Sequence, residues 1–306
     1  MAGQGVAILG IFVADLAFRA NRQPNIGETL IGSGFAMGPG GKGSNQAVAA
    51  AKAGAQVTFI SKLGKDAFAN IAIAAWSKEG ITPFVAQMPD QPTGAAYIFV
   101  NDQNGENAII VVPGAAGTIS AADVDAAANV IANAAVFVTQ LEQPISAALR
   151  GLEIARKAGV TTIFNPAPAA AVPDAIFPLC DFVIPNESEA EGLTGVKVTS
   201  PDDARKAADV LVRKGAKTVI VTMGGLGALV HSKDKQAFLP SFYAGKVVET
   251  AGAGDAFVGA FAAAFAAGAD MMLAGRFASA AAGISVTRPG TAPSMPYLAE
   301  IEKLLT

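Results

Sequence analysis

The chain has 306 residues, of which 52% are hydrophobic and 15% charged, so it can bury a large core in one or two domains. A net charge of −3 excludes the strongly basic surface that nucleic-acid-binding proteins present. The single cysteine, Cys180, excludes an intrachain disulfide and a cysteine metal cluster. A Ser–His–Asp triad would have to use the single histidine, His231, which we predict to lie on a strand that runs into a turn.

Two apolar runs lack the features of a membrane segment. The first, residues 6–13, has no basic region before it and is closely followed by Asp15. The second, residues 256–269, stops at Asp270 and is shorter than the roughly 20 residues that a spanning helix needs. We therefore expect a cytoplasmic protein that has neither a membrane nor a nucleic acid among its partners.

From the amino terminus, short apolar runs alternate with helical runs. The first four are VAILGIF, SNQAVAAAKAG, VTFISKLG and DAFANIAIAAWSKEG, and the alternation continues through TVIVTMG. Glycines stand where the C-terminal caps of helices belong, at Gly54, Gly80, Gly159 and Gly215. This order predicts an α/β fold with a doubly wound, mostly parallel sheet flanked by helices, and residues 1–306 as a single domain.

Two segments, about 12–37 and 82–113, interrupt this alternation. Neither has a helical pattern, and Asn104–Gly105 in the second is a hairpin signal. We expect the two segments to form a small separate β-sheet, a lid that covers a site. The alternative is that they add strands at the edge of the main sheet.

The glycine-rich run GPGGKGSNQ, residues 38–46, precedes a predicted helix. The spacing of its glycines matches the G-x-G-x-x-G motif of dinucleotide-binding folds. That motif directly follows the first strand, and an acid ends the second strand. Here the first strand lies far upstream, and no acid ends the second. It is not a P-loop either, because Gly43 follows Lys42 where Ser or Thr would stand. Lys42 and Asn45 offer hydrogen-bond donors that suit a polyhydroxylated ligand. The alternative is a tight turn with a solvated lysine.

Two later runs follow predicted strands. In PNESEAEGL, residues 185–193, Asn186 and Glu189 have the spacing of a capping box, and the acidic side chains could also help to hold hydrated Mg²⁺. In TVIVTMGGLGAL, residues 218–229, Thr222 and three glycines stand at the carboxyl end of a strand, where ligands bind in open α/β folds. A plain hairpin turn is the alternative there.

The run ETAGAGDAFVGAFAAAFAAG, residues 249–268, predicts a long helix with a glycine-rich start. The N–H groups of Gly252, Ala253 and Gly254 could bind an anion, because helix starts carry unpaired donors and partial positive charge. Asp255 could be only a helix cap, or it could be the base that accepts a hydroxyl proton during phosphoryl transfer. This run alone leaves both interpretations open.

Taken together, GGKGSNQA and TAGAGDAFVGA resemble, in this order, the two signatures of the PfkB family of sugar and nucleoside kinases. The resemblance covers essentially the whole chain. The runs QLEQP, FNPAPA, PNESEAE, VTMGGLG and VTRPGTAPSMP are similar to those of the ribokinase group in particular. The resemblance implies a doubly wound domain with a β-sheet lid, and ATP-dependent phosphorylation of a sugar hydroxyl.

The resemblance also implies roles for individual residues. Asp255 would be the base, and the anion hole would consist of Gly252, Ala253 and Gly254. The sugar would contact position 13 together with Asp15, Gly41, Lys42, Gly43, Asn45, Glu142 and Asp255. The nucleotide would contact Asn186, Thr222, Gly224, Gly225, Gly227, Gly254 and Ser279. Glu189 would act on Mg²⁺ through water, and K⁺ beside the anion hole would be held by Glu249, Ala251, Ser285, Arg288, Gly290 and Ser294.

Three positions depart from the ribokinase pattern. Val13 stands where Asn is usual, which removes a sugar contact, and Glu249 replaces Asp in the cation loop. Ser279 stands where His or Asn is frequent near the adenine. None of the three belongs to the machinery that would transfer the phosphoryl group.

The leading hypothesis from the sequence is a kinase that phosphorylates D-ribose or a related pentose with ATP. The alternatives are a nucleoside, deoxyribose or sugar-acid kinase on the same scaffold, and a non-catalytic sugar sensor. We also expect a homodimer that pairs the two lids, because residues 93–100 form an apolar strand with little chain left to cover it.

Overall fold

The structure, a computed structural model, describes residues 5–306. The strands are β1 (Val6–Leu9), β2 (Val13–Ala20), β3 (Gly34–Gly40), β4 (Val57–Gly64), β5 (Thr82–Met88), β6 (Thr93–Asn101), β7 (Asn107–Gly114), β8 (Val136–Thr139), β9 (Thr161–Phe164), β10 (Phe182–Val183), β11 (Thr218–Thr222), β12 (Ala228–Ser232) and β13 (Gln236–Leu239). The helices are α1 (Lys42–Lys52), α2 (Ala67–Lys78), α3 (Ala121–Ala126), α4 (Ala128–Ala132), α5 (Ile145–Ala158), α6 (Glu187–Thr194), α7 (Pro201–Arg213), α8 (Ala253–Ala266), α9 (Met271–Ser285) and α10 (Leu298–Leu305).

The main sheet has nine strands in the order β13-β12-β11-β10-β9-β8-β1-β4-β5. All neighbouring pairs from β11 to β5 are parallel, and the pairs β11–β12 and β12–β13 are antiparallel. The interior strand β1 is buried along its whole length, as expected for a parallel strand with helices on both faces. This arrangement confirms the predicted doubly wound, mostly parallel α/β fold.

Side chains that alternate along β1 enter two separate hydrophobic clusters. Val6 and Ile8 join the cluster that includes residues of α1, α2, α8 and α9. Ala7 and Leu9 join the other, which includes residues of α5 and α7. The period of two thus divides one strand between the two cores of the sheet.

Helices α1 and α8 pack closely on one face of the sheet. The contact needs a glycine at position 259, because a Cβ there would lie 2.4 Å from the Gln46 carbonyl oxygen. The close packing brings the amino-terminal residues of α1 and α8 to the same end of the main sheet, the carboxyl end of its strands.

The second sheet has four strands in the order β3-β2-β6-β7. The predicted lid segment 82–113 starts too early, because residues 82–88 form β5 at the edge of the main sheet, parallel to β4. An edge position tolerates Pro83, which has no N–H for a ladder. The remaining strands β6 and β7 join through the Asn104–Gly105 turn, where Gly105 has a φ of 74°.

The structure also shows the helix-end glycines, the single histidine and the length of the apolar helices. The four glycines at predicted helix ends all have positive φ: Gly54, Gly80, Gly159 and Gly215. His231 lies on β12, and its Nε2 is 2.7 Å from Oδ1 of Asp209. Within residues 5–306, no helix combines the length and the apolar character that crossing a membrane requires.

Candidate active site

Loops at the carboxyl ends of the parallel strands enclose a cavity of about 200 Å³. Predicted site residues that line it are Lys42, Asn186, Glu189, Thr222, Gly252, Gly254 and Asp255. Lining residues that the sequence analysis did not select are Asn165, Ala167, Ile184, Thr250 and Val258. Asn165 and Ile184 directly follow strands β9 and β10, so the rule that ligands bind at carboxyl ends of parallel strands could have found them.

The start of α8 has no side-chain cap. Gly252 occupies the N-cap position with a φ of 80°, a conformation that favours glycine. The N–H of Ala253 makes a long hydrogen bond of 3.3 Å to the Thr250 carbonyl. Across the described chain, the N–H groups of Gly252 and Gly254 find no protein acceptor. Two donors therefore remain for an anion at this helix start.

Asp255 stands in the first turn of α8, and its carboxylate is held by two amides. Oδ2 accepts from Nδ2 of Asn45 at 3.0 Å, and Oδ1 accepts from Nε2 of Gln46 at 3.0 Å. Burial raises the pKa of the Asp255 carboxyl, while the Lys42 charge and the two amide donors oppose that rise. The side chain makes no capping bond to its own helix. The carboxylate is therefore held by α1 rather than used as a helix cap, and its role as the base stays a prediction.

Helix α1 also starts without a side-chain cap, at Gly41, which has a φ of 87°. The Lys42 N–H donates to Oε2 of Glu142 at 2.7 Å. Burial alone would lower the pKa of the Lys42 ammonium, but the charges of Asp255, Glu142 and Glu189 raise it above its usual value. Lys42 is therefore a fixed positive charge among carboxylates at the cavity wall.

Two further carboxyls near this helix start, Asp15 and Glu142, have raised pKa values. Burial, then the charges of Asp255 and Glu249, raises the pKa of Asp15 to about 6. Burial raises the pKa of Glu142 to about 7, against the opposing Lys42. Glycine at position 40 leaves room for the Asp15 carboxylate in this orientation, because a Cβ there would lie 2.1 Å from its Oδ1.

Asn45 is buried and has one atom without a partner. Its Nδ2 is used by Asp255, but its Oδ1 has no hydrogen-bond partner. Buried polar atoms are nearly always paired, so an unpaired acceptor calls for a donor such as a ligand hydroxyl. This atom supports the predicted place of Asn45 in a sugar site.

Val13 and Gly43 have structural surroundings that account for their residue types without a ligand. Val13 is 2% exposed and packs in the second hydrophobic cluster with Leu9 and Ala96. A Cβ at Gly43 would lie 2.7 Å from the Cα of Gly10, so glycine allows α1 to approach β1. Their predicted sugar contacts stay predictions.

The start of α6 carries a capping box. Oδ1 of Asn186 accepts from the Glu189 N–H at 2.8 Å, and Oε2 of Glu189 accepts from the Asn186 N–H at 2.9 Å. Nδ2 of Asn186 also donates to Oε1 of Glu189. Burial raises the pKa of Glu189, while the Asn186 N–H and Lys42 oppose the rise.

The Mg²⁺ prediction can be tested against these donors. Among residues 5–306, no group of three or more His, Cys, Asp or Glu side chains could hold a metal ion together. Glu189 lines the cavity with oxygens that retain free lone pairs. Mg²⁺ usually keeps several waters and takes phosphate oxygens with one or two carboxylates, so Glu189 fits it through water.

The predicted nucleotide loop connects β11 to the antiparallel strand β12, so the hairpin alternative describes its local structure. Thr222 forms an isolated parallel bridge with Asn186, which brings this loop beside the α6 start. Gly224 and Gly227 have positive φ, and Gly225 faces open space. Ser279 is buried on α9. Nucleotide contacts at these residues remain predictions.

Two segments meet where the cation loop was predicted. Oε2 of Glu249 accepts from the Gly290 N–H at 2.8 Å, and the Glu249 N–H donates to the Val286 carbonyl at 3.2 Å. Ser285 and Ser294 are buried, and the Arg288 N–H donates to the Ser285 carbonyl. Thr291 then packs against Gly252, because a Cβ on Gly252 would lie 3.2 Å from the Thr291 Cα. The segment thus packs against the start of α8.

Comparisons with known proteins agree with this geometry. The sequence profile of pfkB family carbohydrate kinases matches residues 4–298. A ribokinase from Mus musculus is 40% identical over 298 residues, covering 95% of this chain and 92% of the relative. A deoxyribokinase from Salmonella typhi is 39% identical over 303 residues, 98% of each chain.

Solved structures lead to the same fold family. The ribokinase of Arabidopsis thaliana, in a complex with ribose and ATP, superposes with a TM-score of 0.92 at 30% identity and 99% coverage of both chains. The match spans the main sheet and the smaller sheet alike. The chain therefore belongs to the pfkB family of carbohydrate kinases, and it is a phosphotransferase that acts on a sugar hydroxyl.

Proposed function

We propose that this kinase transfers the γ-phosphoryl group of ATP to a pentose hydroxyl, with D-ribose as substrate and ribose 5-phosphate as product. The observation that carries the proposal is the pairing of a buried carboxylate, Asp255, with unpaired N–H groups at the start of α8. The relatives and the solved structure described above support a pentose as the acceptor. An ATP-dependent kinase of this kind works in the cytoplasm, where its co-substrate is available.

In the proposed reaction, Asp255 accepts the proton of the sugar hydroxyl as that oxygen forms a bond to the γ-phosphorus. The bond from the γ-phosphorus to the bridging oxygen breaks, and ADP leaves with that electron pair. Gly252, Ala253 and Gly254 stabilise the charge on the transferred phosphoryl group, because helix-start donors face it without reorganisation. Lys42 adds a positive charge at the same wall.

In this proposal the two substrates contact different sets of residues. Asp15, Glu142 and Asn45 hold the sugar, with Gly41 and Gly43 allowing close approach of the backbone. The nucleotide lies along the α6 start and the loop after β11, against Asn186, Thr222, Gly224, Gly225, Gly227 and Ser279. Glu189 would hold Mg²⁺ through a water, and the ion would supply positive charge that neutralises the phosphates.

The decisive test is Asp255→Asn. A general base contributes about 10²–10⁴-fold, so we expect turnover to fall by that factor while calorimetry still detects sugar binding. Turnover within about threefold of the unaltered enzyme would remove Asp255 from the mechanism, since that is far below the usual contribution of a base. A non-catalytic sugar sensor would show no sugar-dependent ADP release in either protein.

Deoxyribose is the second candidate substrate. Val13 can neither donate nor accept a hydrogen bond, so a sugar that lacks one hydroxyl loses little there. The deoxyribokinase at 39% identity supports the same alternative. A screen of ADP release across pentoses, deoxypentoses, hexoses, ketoses and nucleosides would rank the candidates by kcat/KM, and preference for a nucleoside would reject both pentoses.

We also propose K⁺ activation through the segments 249–251 and 285–294. Backbone carbonyls and hydroxyls of Glu249, Ala251, Ser285, Arg288, Gly290 and Ser294 would surround the ion. The Glu249 carboxylate already bonds the Gly290 N–H, so the ion would rigidify loops that support Gly252 without joining the chemistry. Turnover should be higher in K⁺ than in Na⁺ of equal ionic strength. Equal turnover in K⁺, Na⁺ and a bulky organic cation would reject the site.

We also propose a homodimer that forms through the lids, because the second sheet exposes large apolar side chains. Large exposed side chains there are Phe18, Phe35, Met37, Ile109, Ile110 and Val112. Exposed apolar area of this kind marks an interface, and a second lid would cover it with the same chemistry. Ultracentrifugation at micromolar concentration should give a dimer mass, which Ile110→Lys lowers to that of a monomer and Leu298→Lys, on α10, does not. A monomeric unaltered protein would contradict the proposal.

A further inference from the structure

A chain of buried amides leads from β8 to the carboxylate of Asp255. Nε2 of Gln140 donates to Oε1 of Gln46 at 2.5 Å, and Nε2 of Gln46 donates to Oδ1 of Asp255 at 3.0 Å. Nε2 of Gln46 also donates to Oδ1 of Asn165 at 2.9 Å. Gln46 and Gln140 are both 0% exposed, so no bulk water competes for these bonds.

These contacts use the full hydrogen-bonding capacity of the Gln46 amino group. An amide NH₂ has two hydrogens, and here one goes to Asp255 and the other to Asn165. The partners of Gln46 fix the orientation of its amide. Gln140 donates to the Gln46 oxygen. Asn165 offers its oxygen to Gln46, because its Nδ2 donates to the Ile184 carbonyl at 2.8 Å. A flipped Gln46 amide would turn its oxygen toward the Asp255 carboxylate and its NH₂ toward the Gln140 donor. Only the observed orientation pairs both hydrogens and the oxygen of the Gln46 amide.

The surroundings of Asp255 make this donor important. Lys42 is the cation that faces it, while Asp15, Glu142 and Glu189 are carboxylates whose pKa values its charge raises. Glu249 adds negative charge near Asp15. A carboxylate buried among other carboxylates takes up a proton readily, and a protonated carboxyl cannot act as a base.

We propose that Gln46, held by Gln140, is a positioning residue that keeps the Asp255 carboxylate ionised and correctly oriented for proton transfer. The inference rests on the proposed role of Asp255 as the base. Gln46 itself touches neither the reacting hydroxyl nor the phosphoryl group. It acts through the one carboxylate oxygen that it holds, while Asn45 holds the other.

The test is the pH dependence of kcat at saturating ribose and ATP. At saturating substrate, protonation of the sugar-binding carboxyls Asp15 and Glu142 affects mainly KM. The pH dependence of kcat then reports the pKa of the base in the substrate complex. Gln46→Leu removes a hydrogen bond to a charged group, so we expect the acid limb to move up by about one to two pH units. Gln46→Glu should move it further, because two adjacent carboxyls cannot both be ionised. Gln140→Leu should move it least, since Gln46 remains.

A matched control separates this role from general loss of packing. Gln143 is another buried glutamine, and its Nε2 donates to Oγ1 of Thr139 and to the Gln140 carbonyl, not to Gln46 or Asp255. Gln143→Leu should lower Tm as Gln46→Leu does, but leave the acid limb where it is. If Gln46→Leu does not fold, Gln46→Glu and Gln140→Leu still decide the question.

The outcomes distinguish the inference from the function on which it rests. An acid limb that is the same in the Gln46, Gln140 and Gln143 variants as in the unaltered enzyme would overturn the positioning role, even if Asp255→Asn is inactive. An active Asp255→Asn would instead overturn the base itself. A graded shift in the order Gln46→Glu, Gln46→Leu, Gln140→Leu, with Gln143→Leu unshifted, supports both.

Discussion

Three helices begin around the cavity, and their first turns are completed in different ways. Helices α1 and α8 begin at glycines with positive φ and no side-chain cap. Helix α6 begins at Asn186 with both bonds of a capping box present. The first two starts give up the side-chain bond that a cap provides, at a cost of about a few tenths of a kcal/mol for glycine at the N-cap, whereas the third keeps it.

The comparison shows where ligand-binding capacity is located. At α8 the N–H groups of Gly252 and Gly254 are unpaired, and at α1 the Lys42 N–H is paired with a carboxylate from a distant loop. At α6 the capping box pairs the N–H groups of Asn186 and Glu189 within the helix start. The uncapped start of α8 is therefore suited to an anion that comes and goes, while the start of α6 is held by its own side chains.

The largest expected effect comes from closing the uncapped start of α8. A Cβ at Gly254 would have no neighbour within 4 Å, and it would stand at the cavity wall where we propose that an anion binds. Gly254→Ala should therefore lower kcat by about 10²-fold, comparable to the loss of one oxyanion donor. Its Tm should stay the same or rise, because alanine favours the helix. Steady-state kinetics and thermal unfolding measure the two effects.

Two other glycines provide the contrast for this substitution. Gly192 lies in α6 with only an ordinary contact at 3.6 Å, so Gly192→Ala should raise Tm without changing kcat. Gly252 has a φ of 80°, so Gly252→Ala should lose activity and also about 1–2 kcal/mol of stability. Full activity of Gly254→Ala would mean that the start of α8 binds no anion.

A smaller effect is expected from removing the cap of α6. Asn186→Ala loses a cap and should cost about 1 kcal/mol, which lowers Tm by about 2 °C for a chain of this size. Ser200 caps α7 away from the cavity in the same way, so Ser200→Ala is the matched variant. Both should lose similar stability, and only Asn186→Ala should raise KM for ATP, by a few-fold. An equal KM in the two variants would make the α6 start purely structural.

Local patterns in the sequence predicted the helix starts well and the contacts between them poorly. Glycine followed by a helical run located the beginnings of α1 and α8, because those signals lie within a few residues. The capping box of α6 was visible as Asn and Glu three apart. Gln46 was missed because its partners are distant in sequence: Asn165 is 119 residues away and Asp255 is 209 residues away.

The predicted start of the second lid segment was wrong for a related reason. Residues 82–88 have the apolar and β-branched composition of a strand, which says nothing about the sheet they join. Their place at the edge of the main sheet follows from pairing with β4, a contact that only the folded chain defines. The same limit applies to Gly43, whose residue type reflects packing on Gly10 as much as any ligand.

The smallest effect concerns Val13, which pairs in register with Gly40 beside the start of α1. If Val13 faces the sugar, Val13→Asn offers a hydrogen bond to a ribose hydroxyl that is now unpaired. An unpaired buried polar group costs about 1–3 kcal/mol, so kcat/KM for ribose over 2-deoxyribose should rise about tenfold, chiefly through KM. Val13→Leu has nearly the shape of Val13→Asn without its polar atoms and should leave that ratio unchanged. Val13 is 2% exposed in a hydrophobic cluster, so a purely structural role is the competing explanation. A lower Tm with an unchanged substrate ratio in Val13→Asn would show that this side chain belongs to the core, and that discrimination between pentoses depends on Asp15, Asn45 and Glu142.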